Sequence, residues 1–214
     1  MNPSERDLRL RLLAAVRRLS ERGLNQGSSG NASVRFEAGF IVTPSGKPYE
    51  GMEAEDLVFV DAGGKPHGRH APSSEWRMHH DIFARVADAG AVVHTHSPYA
   101  TTLACLHKPI PAFHYEVAFA GGNDIRCAGY ATFGTQELSD YALAALEGRR
   151  ACLLANHGQI AWSDDIEHAA VLAEKVEALA QRYCLALQLG EPPLLSDDEM
   201  KRVVGKFSSY GRSP

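Results

Sequence analysis

The sequence predicts an α/β fold, a three-layer sandwich whose mainly antiparallel central sheet is flanked by helices. Three observations carry this prediction. Short strand-like segments follow one another directly in the first third of the chain, helical segments are interspersed among later apolar runs, and 214 residues suit a single core. Residues 1–214 therefore read as one domain.

The first element is a helix. Asn2 precedes Pro3 at the first helical position, and Glu5 stands where a capping-box acid belongs. Leu8, Leu12, Ala15, Val16 and Leu19 recur at helical spacing, and Gly23 is placed for a left-handed cap. The pattern then switches to strands over 32–36 and 40–43, joined by Glu37-Ala38-Gly39, whose glycine suits a tight hairpin. Residues 56–60 read as a further strand, closed by Asp61-Ala62-Gly63-Gly64. Trp76, His80, Phe83 and Val86 mark a helix within 73–86, followed by a Val-rich strand over 91–96 and a helix over 98–105. Segments 115–120 and 124–127 read as strands, and 136–146 as a helix with Thr135 at its N-cap. A buried strand over 151–155 runs into Asn156-His157-Gly158-Gln159, and 160–162 continues the sheet. The long helix over 165–189 stops at Gly190-Glu191-Pro192-Pro193, and the tail from Ser196 is expected to form a short helix docking on the body.

Composition narrows the function. Hydrophobic residues make up 44%, charged residues 22%, and the formal charge is −4 with both signs interspersed, so there is no basic footprint for nucleic acid or an anionic membrane. No apolar run approaches the roughly 20 residues that span a bilayer, and the charged N-terminus is unlike a secretion signal, so a cytoplasmic protein is expected. Cys105, Cys127, Cys152 and Cys184 are scattered without a Cys-x-x-Cys pair and read as small buried hydrophobes.

The chemistry concentrates in histidine. His94 and His96 lie two apart in a strand, so both imidazoles leave the same face. His157, at the end of the next strongly apolar strand and before Gly158, can be brought to the pair by its loop. One histidine alone would more simply fill a half-buried strand. Three imidazoles with an open position form the catalytic arrangement for Zn²⁺, whereas closed structural sites use four ligands, often cysteine. His67, His70, His79, His80, His107, His114 and His168 have no comparable partner and read as structural. Glu75 opens a helix, where the dipole favours a carboxylate; beside a cation it can ligate at rest and act as base once substrate displaces it. Ser28-Ser29-Gly30-Asn31, Thr43-Pro44-Ser45-Gly46-Lys47 and Ser73-Ser74 are small polar turns that present N–H groups and hydroxyls to an anion. No Walker-type or dinucleotide glycine motif is present.

Taken together, these stretches resemble the class II aldolase/adducin family. The likeness rests on Gly30-Asn31-Ala32-Ser33-Val34-Arg35, Thr43-Pro44-Ser45-Gly46, Pro72-Ser73-Ser74-Glu75, Val93-His94-Thr95-His96-Ser97, Tyr130-Ala131-Thr132-Phe133-Gly134-Thr135, His157-Gly158, and Lys206-Phe207 with Tyr210-Gly211. It runs from the first helix to the tail. The resemblance implies metal-dependent cleavage of a short ketose 1-phosphate into dihydroxyacetone phosphate and an aldehyde. It implies zinc, or Mn²⁺ or Co²⁺ in its place, on His94, His96 and His157, with Glu75 as ligand and acid/base. Phosphate would be held by Ser29, Asn31, Gly46, Ser73 and Ser74. Tyr115 would reach a neighbouring subunit's site in a C4 homotetramer and protonate the departing aldehyde oxygen, Phe133 and Phe207 would line the aldehyde side, and Tyr210 would help close the site.

Two positions depart from the family pattern. Asn156 precedes His157 where a second histidine is expected, and Glu116 follows Tyr115 where an apolar residue is expected, so the aldehyde partner is left open among fuculose, 5-deoxyribulose and 5-methylthioribulose 1-phosphates. Sugar-phosphate 4-epimerases of the family resemble Ser-Ser-Asp where this chain has Ser73-Ser74-Glu75, which favours the aldolase. Methylthioribulose-phosphate dehydratases share the His-x-His, and adducin-type domains keep the fold as interaction modules without the full ligand set.

Overall fold

The computed structural model describes residues 2–209, with side chains through Phe207. Helix α1 spans Pro3–Glu21 because its ends are capped as its sequence dictates. Asn2 Oδ1 accepts from the Glu5 N–H at 2.8 Å. At the other end Gly23, at φ +76°, lets its own N–H reach Ser20 O and the Leu24 N–H reach Leu19 O.

One eight-stranded sheet runs through the molecule in the order β4-β3-β2-β1-β5-β8-β7-β6. Its strands are β1 (Asn31–Phe36), β2 (Gly39–Val42), β3 (Val58–Val60), β4 (Pro66–His67), β5 (Ala91–Thr95), β6 (Cys127–Ala128), β7 (Ala151–Leu154) and β8 (Gly158–Ser163). Every pairing is antiparallel except that of β6 with β7. The remaining helices are α2 (Trp76–Arg85), α3 (Pro98–Cys105), α4 (Gln136–Ala145), α5 (Ile166–Leu189) and α6 (Asp197–Ser209).

Side-chain alternation builds the three layers. Ala32, Val34, Ile41, Ala91, Val93 and Ala161 share one apolar cluster with Leu12, Val16, Leu103 and Val176 of α1, α3 and α5. Their strand neighbours Phe40, Val42, Val92 and Ile160 point the other way, into a cluster with Met78 and Ile82 of α2 and Leu138 and Ala142 of α4. Both faces of the central strands are thus covered, and full burial of each valine, leucine, isoleucine, phenylalanine or methionine among them contributes about 1.5–3 kcal/mol.

The structure corrects several expectations. Segment Tyr115–Ala120 is a 3-10 helix, not a strand: His114 caps it, and Val117, Ala118 and Ala120 turn inward, a short apolar run whose sequence alone does not distinguish the two. The expected strand at 124–127 shrinks to Cys127–Ala128, with Ile125 in an isolated bridge to Ile110. Likewise the strand expected from residue 56 starts at Val58, because Ala54–Asp56 is a capped 3-10 turn. In the β1–β2 hairpin Glu37, not Gly39, takes the left-handed conformation, at φ +48°. Gly39 is needed for packing, since a Cβ there would sit 2.1 Å from Val60 O. Only Cys152 of the four cysteines is buried; Cys105 is exposed and Cys127 and Cys184 are half-buried. No helix among the described residues is long and apolar enough to cross a membrane.

Candidate metal centre and cleft

The end of β5, the β7–β8 hairpin and the start of α2 meet at one place. His94 lies within β5 and His96 one residue past it, so alternation sends both rings to the α2 side of the sheet. His157 comes from the β7–β8 hairpin, whose register Leu154↔Gly158 leaves a tight loop. Asn156 holds that loop in a left-handed turn at φ +54°, its Oδ1 accepting from His107 Nε2 at 2.6 Å and its N–H donating to Ala104 O. Asparagine tolerates this conformation better than most side chains, which gives the departure at Asn156 a structural reason. Gly158 is required because a Cβ would lie 2.3 Å from Thr95 O and 3.1 Å from the His96 ring. Glu75 stands at the N-cap of α2 and turns its carboxylate inward.

The three rings approach edge to face with centroids 4.7–4.9 Å apart. Glu75 Oε2 lies 3.1 Å from His94 Nε2, and Oε1 lies 3.3 Å from His157 Nε2. His94 donates Nδ1–H to Gln159 O at 2.8 Å, which turns its Nε2 toward His96 Nε2, 2.9 Å away. Glu75 Oε1 is buried without a hydrogen-bond partner. Opposed ring nitrogens and an orphaned carboxylate oxygen are costly in a protein interior unless a positive charge lies between them. The ligand atoms of Glu75, His94, His96 and His157 all lie within 4.8 Å of one another, a set that can hold one divalent ion.

The electrostatics agree. Burial raises the Glu75 pKa, but the charge of His94 and its hydrogen bond outweigh it and hold the carboxyl well below the usual carboxylate range. Burial, together with His94, lowers His96 and His157 to about 4, so both imidazoles are neutral and available as ligands. His94 is depressed by burial yet raised on balance by Glu75. The cluster thus attracts positive charge.

A cleft of about 370 Å³ opens beside the cluster, lined by Ser29, Asn31, Gly46, Ser73, Ser74 and Glu75. His96, His157, Tyr130 and Phe133 also line it. Among the expected anion-binding residues, Asn31 has its side chain committed, donating Nδ2–H to Glu75 Oε2 at 3.0 Å. Ser73 Oγ accepts from the Glu75 N–H at 3.2 Å, which fixes the start of α2. Gly134, at φ +76°, lets the Phe133 loop lie against Ser74 O, 2.7 Å from where a Cβ would be.

Tyr115 and Phe207 are not brought to this cleft. Tyr115 is 48% exposed and stacks on His114, and Phe207 of α6 stacks on Phe119 with centroids 4.1 Å apart. Docking of α6 on the 3-10 segment carries Phe207 away from Phe133, to the rim of a separate groove with Arg149, Arg150 and Trp162. Glu116, the other departure, is held by Arg182 at 2.8 Å and Lys175 at 3.9 Å, both on α5. Tyr210 lies outside the described residues.

Three supporting residues escape sequence reasoning. His79, fully buried, hydrogen-bonds Asn31 and Ser33; its one signal is the spacing of four from Glu75 on the same helix. Asn25 accepts from the His96 N–H and packs on Gly30, and Gln159 anchors His94 through its carbonyl. Asp164, Asp165 and His168 also cluster, but they are exposed or half-exposed, and Asp165 is occupied as the N-cap of α5.

The family model described as Class II Aldolase and Adducin N-terminal domain matches residues 10–184. The chain belongs to the class II aldolase and adducin family. Within that family it is 55% identical over 204 residues to a 5-methylthioribulose-1-phosphate/5-deoxyribulose-1-phosphate aldolase of Rhodospirillum rubrum, covering 95% of this chain and 92% of the relative. It is 49% identical over 190 residues to an L-fuculose phosphate aldolase of Escherichia coli, covering 88% of each. Among solved structures, an L-fuculose 1-phosphate aldolase superposes with a TM-score of 0.92 at 42% identity, over 94% of this chain and 96% of that one. The α/β sandwich expected from the sequence is the fold of that class II aldolase.

Proposed function

We propose that this chain is a class II aldolase, a lyase that cleaves a short ketose 1-phosphate by retro-aldol reaction into dihydroxyacetone phosphate and an aldehyde. The observation that carries the reading is the convergence of His94, His96 and His157 on Glu75, whose Oε1 has no other partner. The names of the relatives support 5-methylthioribulose 1-phosphate, 5-deoxyribulose 1-phosphate and fuculose 1-phosphate as the substrate class.

His94, His96, His157 and Glu75 would hold the ion, with zinc favoured by three neutral imidazoles. A divalent ion bound there supplies Lewis-acid stabilisation of the negative charge that carbon–carbon cleavage leaves on the carbonyl fragment. Glu75 Oε1 is the proton-transfer atom, because Oε2 is already engaged by Asn31. Among the described residues no lysine or arginine lines the cleft, so phosphate would be held by N–H groups and hydroxyls of Ser29, Gly46, Ser73 and Ser74 beside the α2 N-terminus. Asn31 would contribute by fixing Glu75 more than by touching phosphate. Phe133 offers an apolar wall suited to a terminal methyl or thiomethyl group.

Exposure of Tyr115 away from its own cleft supports a role in a neighbouring copy's site, as proton donor to the aldehyde oxygen within a homotetramer; Phe207, stacked beside Tyr115, would act from the same side. The test is release of dihydroxyacetone phosphate from the three ketose 1-phosphates, read with a coupled reductase. Cleavage of at least one is expected, and no release from any by the metal-loaded protein would overturn the reading.

A further inference from the structure

His79 is an odd residue to bury. It is fully inaccessible on α2, where Met78 and Ile82 on either side belong to the apolar cluster, yet both its ring nitrogens are paired. Nδ1 lies 2.7 Å from Ser33 Oγ and Nε2 lies 2.5 Å from Asn31 Oδ1. Asn31 and Ser33 are two apart on β1 and share a face; Glu75 and His79 are four apart on α2 and share a face. Strand pair and helix pair therefore meet as a square.

Proton directions in this square are forced. A carboxylate only accepts, so Asn31 must turn Nδ2 to Glu75 and Oδ1 to His79. Asn31 Oδ1 also only accepts, so His79 Nε2 carries a proton. Burial, aided by the charge of His94, lowers the His79 pKa to about 3, and the neutral ring leaves Nδ1 to accept from the Ser33 hydroxyl. The chain Ser33 → His79 → Asn31 → Glu75 has one consistent orientation.

We propose that His79 is a positioning residue for the aldolase reaction, locking the Asn31 amide so that its N–H₂ end always faces Glu75 and leaves Oε1 as the free proton-transfer oxygen. Without the imidazole donor the amide can invert, and its carbonyl then repels the carboxylate. The inference rests on the reaction assigned above to Glu75.

The test compares His79→Gln, whose amide N–H₂ can take the place of the Nε2 donor, with His79→Leu, which fills the space and donates nothing. At saturating Zn²⁺, His79→Leu is expected to lower kcat about 10–100-fold with KM within about threefold, while His79→Gln keeps most of kcat. In an Asn31→Ala background His79→Leu is expected to add no further loss, because the relay is already cut. Titration with Co²⁺ gives a readout independent of turnover: about tenfold weaker binding in His79→Leu and near-native binding in His79→Gln. Should His79→Leu not fold, Ser33→Ala serves, with an expected kcat loss of about 3–10-fold at unchanged KM, on the order expected for one lost hydrogen bond. Equal losses in the Gln and Leu variants, additive losses with Asn31→Ala, or unchanged kcat in folded His79→Leu or Ser33→Ala would overturn the proposal. If the native protein binds Co²⁺ but cleaves no ketose phosphate, the reaction assignment fails, and the relay is still decided by the Co²⁺ titrations.

Discussion

Glu75 Oε2 lies 3.1 Å from His94 Nε2, a contact between the N-cap residue of a helix and the penultimate residue of a strand. The two play different parts. In the proposed reaction Glu75 would move a proton, whereas His94 would be a ligand whose other nitrogen is tied to Gln159 O. Glu75→Gln is therefore expected to retain most of its divalent metal and lose about 10²–10⁴-fold in turnover, the range for a positioned acid/base. His94→Ala is expected to lose the metal as well. Elemental analysis of the dialysed variants beside their dihydroxyacetone phosphate release checks this, and equal metal content in both would count against the division of roles.

Gly158 couples the metal loop to the sheet. A methyl group there would sit 2.3 Å from Thr95 O, within the β5–β8 pairing next to His96. Gly158→Ala is expected to destabilise the fold by at least about 2 kcal/mol and to weaken metal binding in the same variant. Thermal unfolding with and without Zn²⁺ measures both; a native-like melting temperature would contradict the close packing.

Much of this was legible because the determinants are local. Asn2, Pro3 and Gly23 dictate α1 through caps, and the period of two sends His94 and His96 to one face without knowledge of the fold. What stayed hidden depends on contacts between distant segments. Segment 115–120 reads as a strand, but His114 caps it as a 3-10 turn and α6 packs over it. His79 read as structural because its partners Asn31 and Ser33 lie on β1, far away in sequence, and only the sheet order brings them together. Phe207 was expected beside Phe133, but its place follows from docking of α6 against Phe119.

Tyr115 is exposed while its ring stacks on His114 and Phe207. Tyr115→Phe keeps the stack and removes the proton. Turnover is expected to fall about 10²-fold with the melting temperature and metal content unchanged. Steady-state kinetics beside thermal unfolding check it, and full activity would remove Tyr115 from the reaction.

Asp56 ties together the turn that leads into β3. Its carboxylate pairs with Lys47, accepts the Glu53 N–H and meets His70, and these contacts, Lys47 foremost, hold its pKa below the ordinary 3.8. A depressed carboxyl stabilises the fold above its unfolded pKa and loses that contribution as pH falls toward the folded value. Asp56→Asn is expected to cost about 1–2 kcal/mol at pH 7, a gap that is constant down to about pH 5 and narrows below the unfolded pKa. Urea unfolding of both proteins across that range tests the sign; a gap that widens with acid would contradict it.

The most direct measurement is metal stoichiometry tied to turnover. The protein is stripped with a chelator, dialysed, and titrated with Zn²⁺ while dihydroxyacetone phosphate release from 5-deoxyribulose 1-phosphate and 5-methylthioribulose 1-phosphate is followed. The account predicts no release from the stripped chain and activity rising linearly to an end point at one ion per chain, absent in His157→Ala. Release by the metal-free protein, or an end point untouched by His157→Ala, would contradict it.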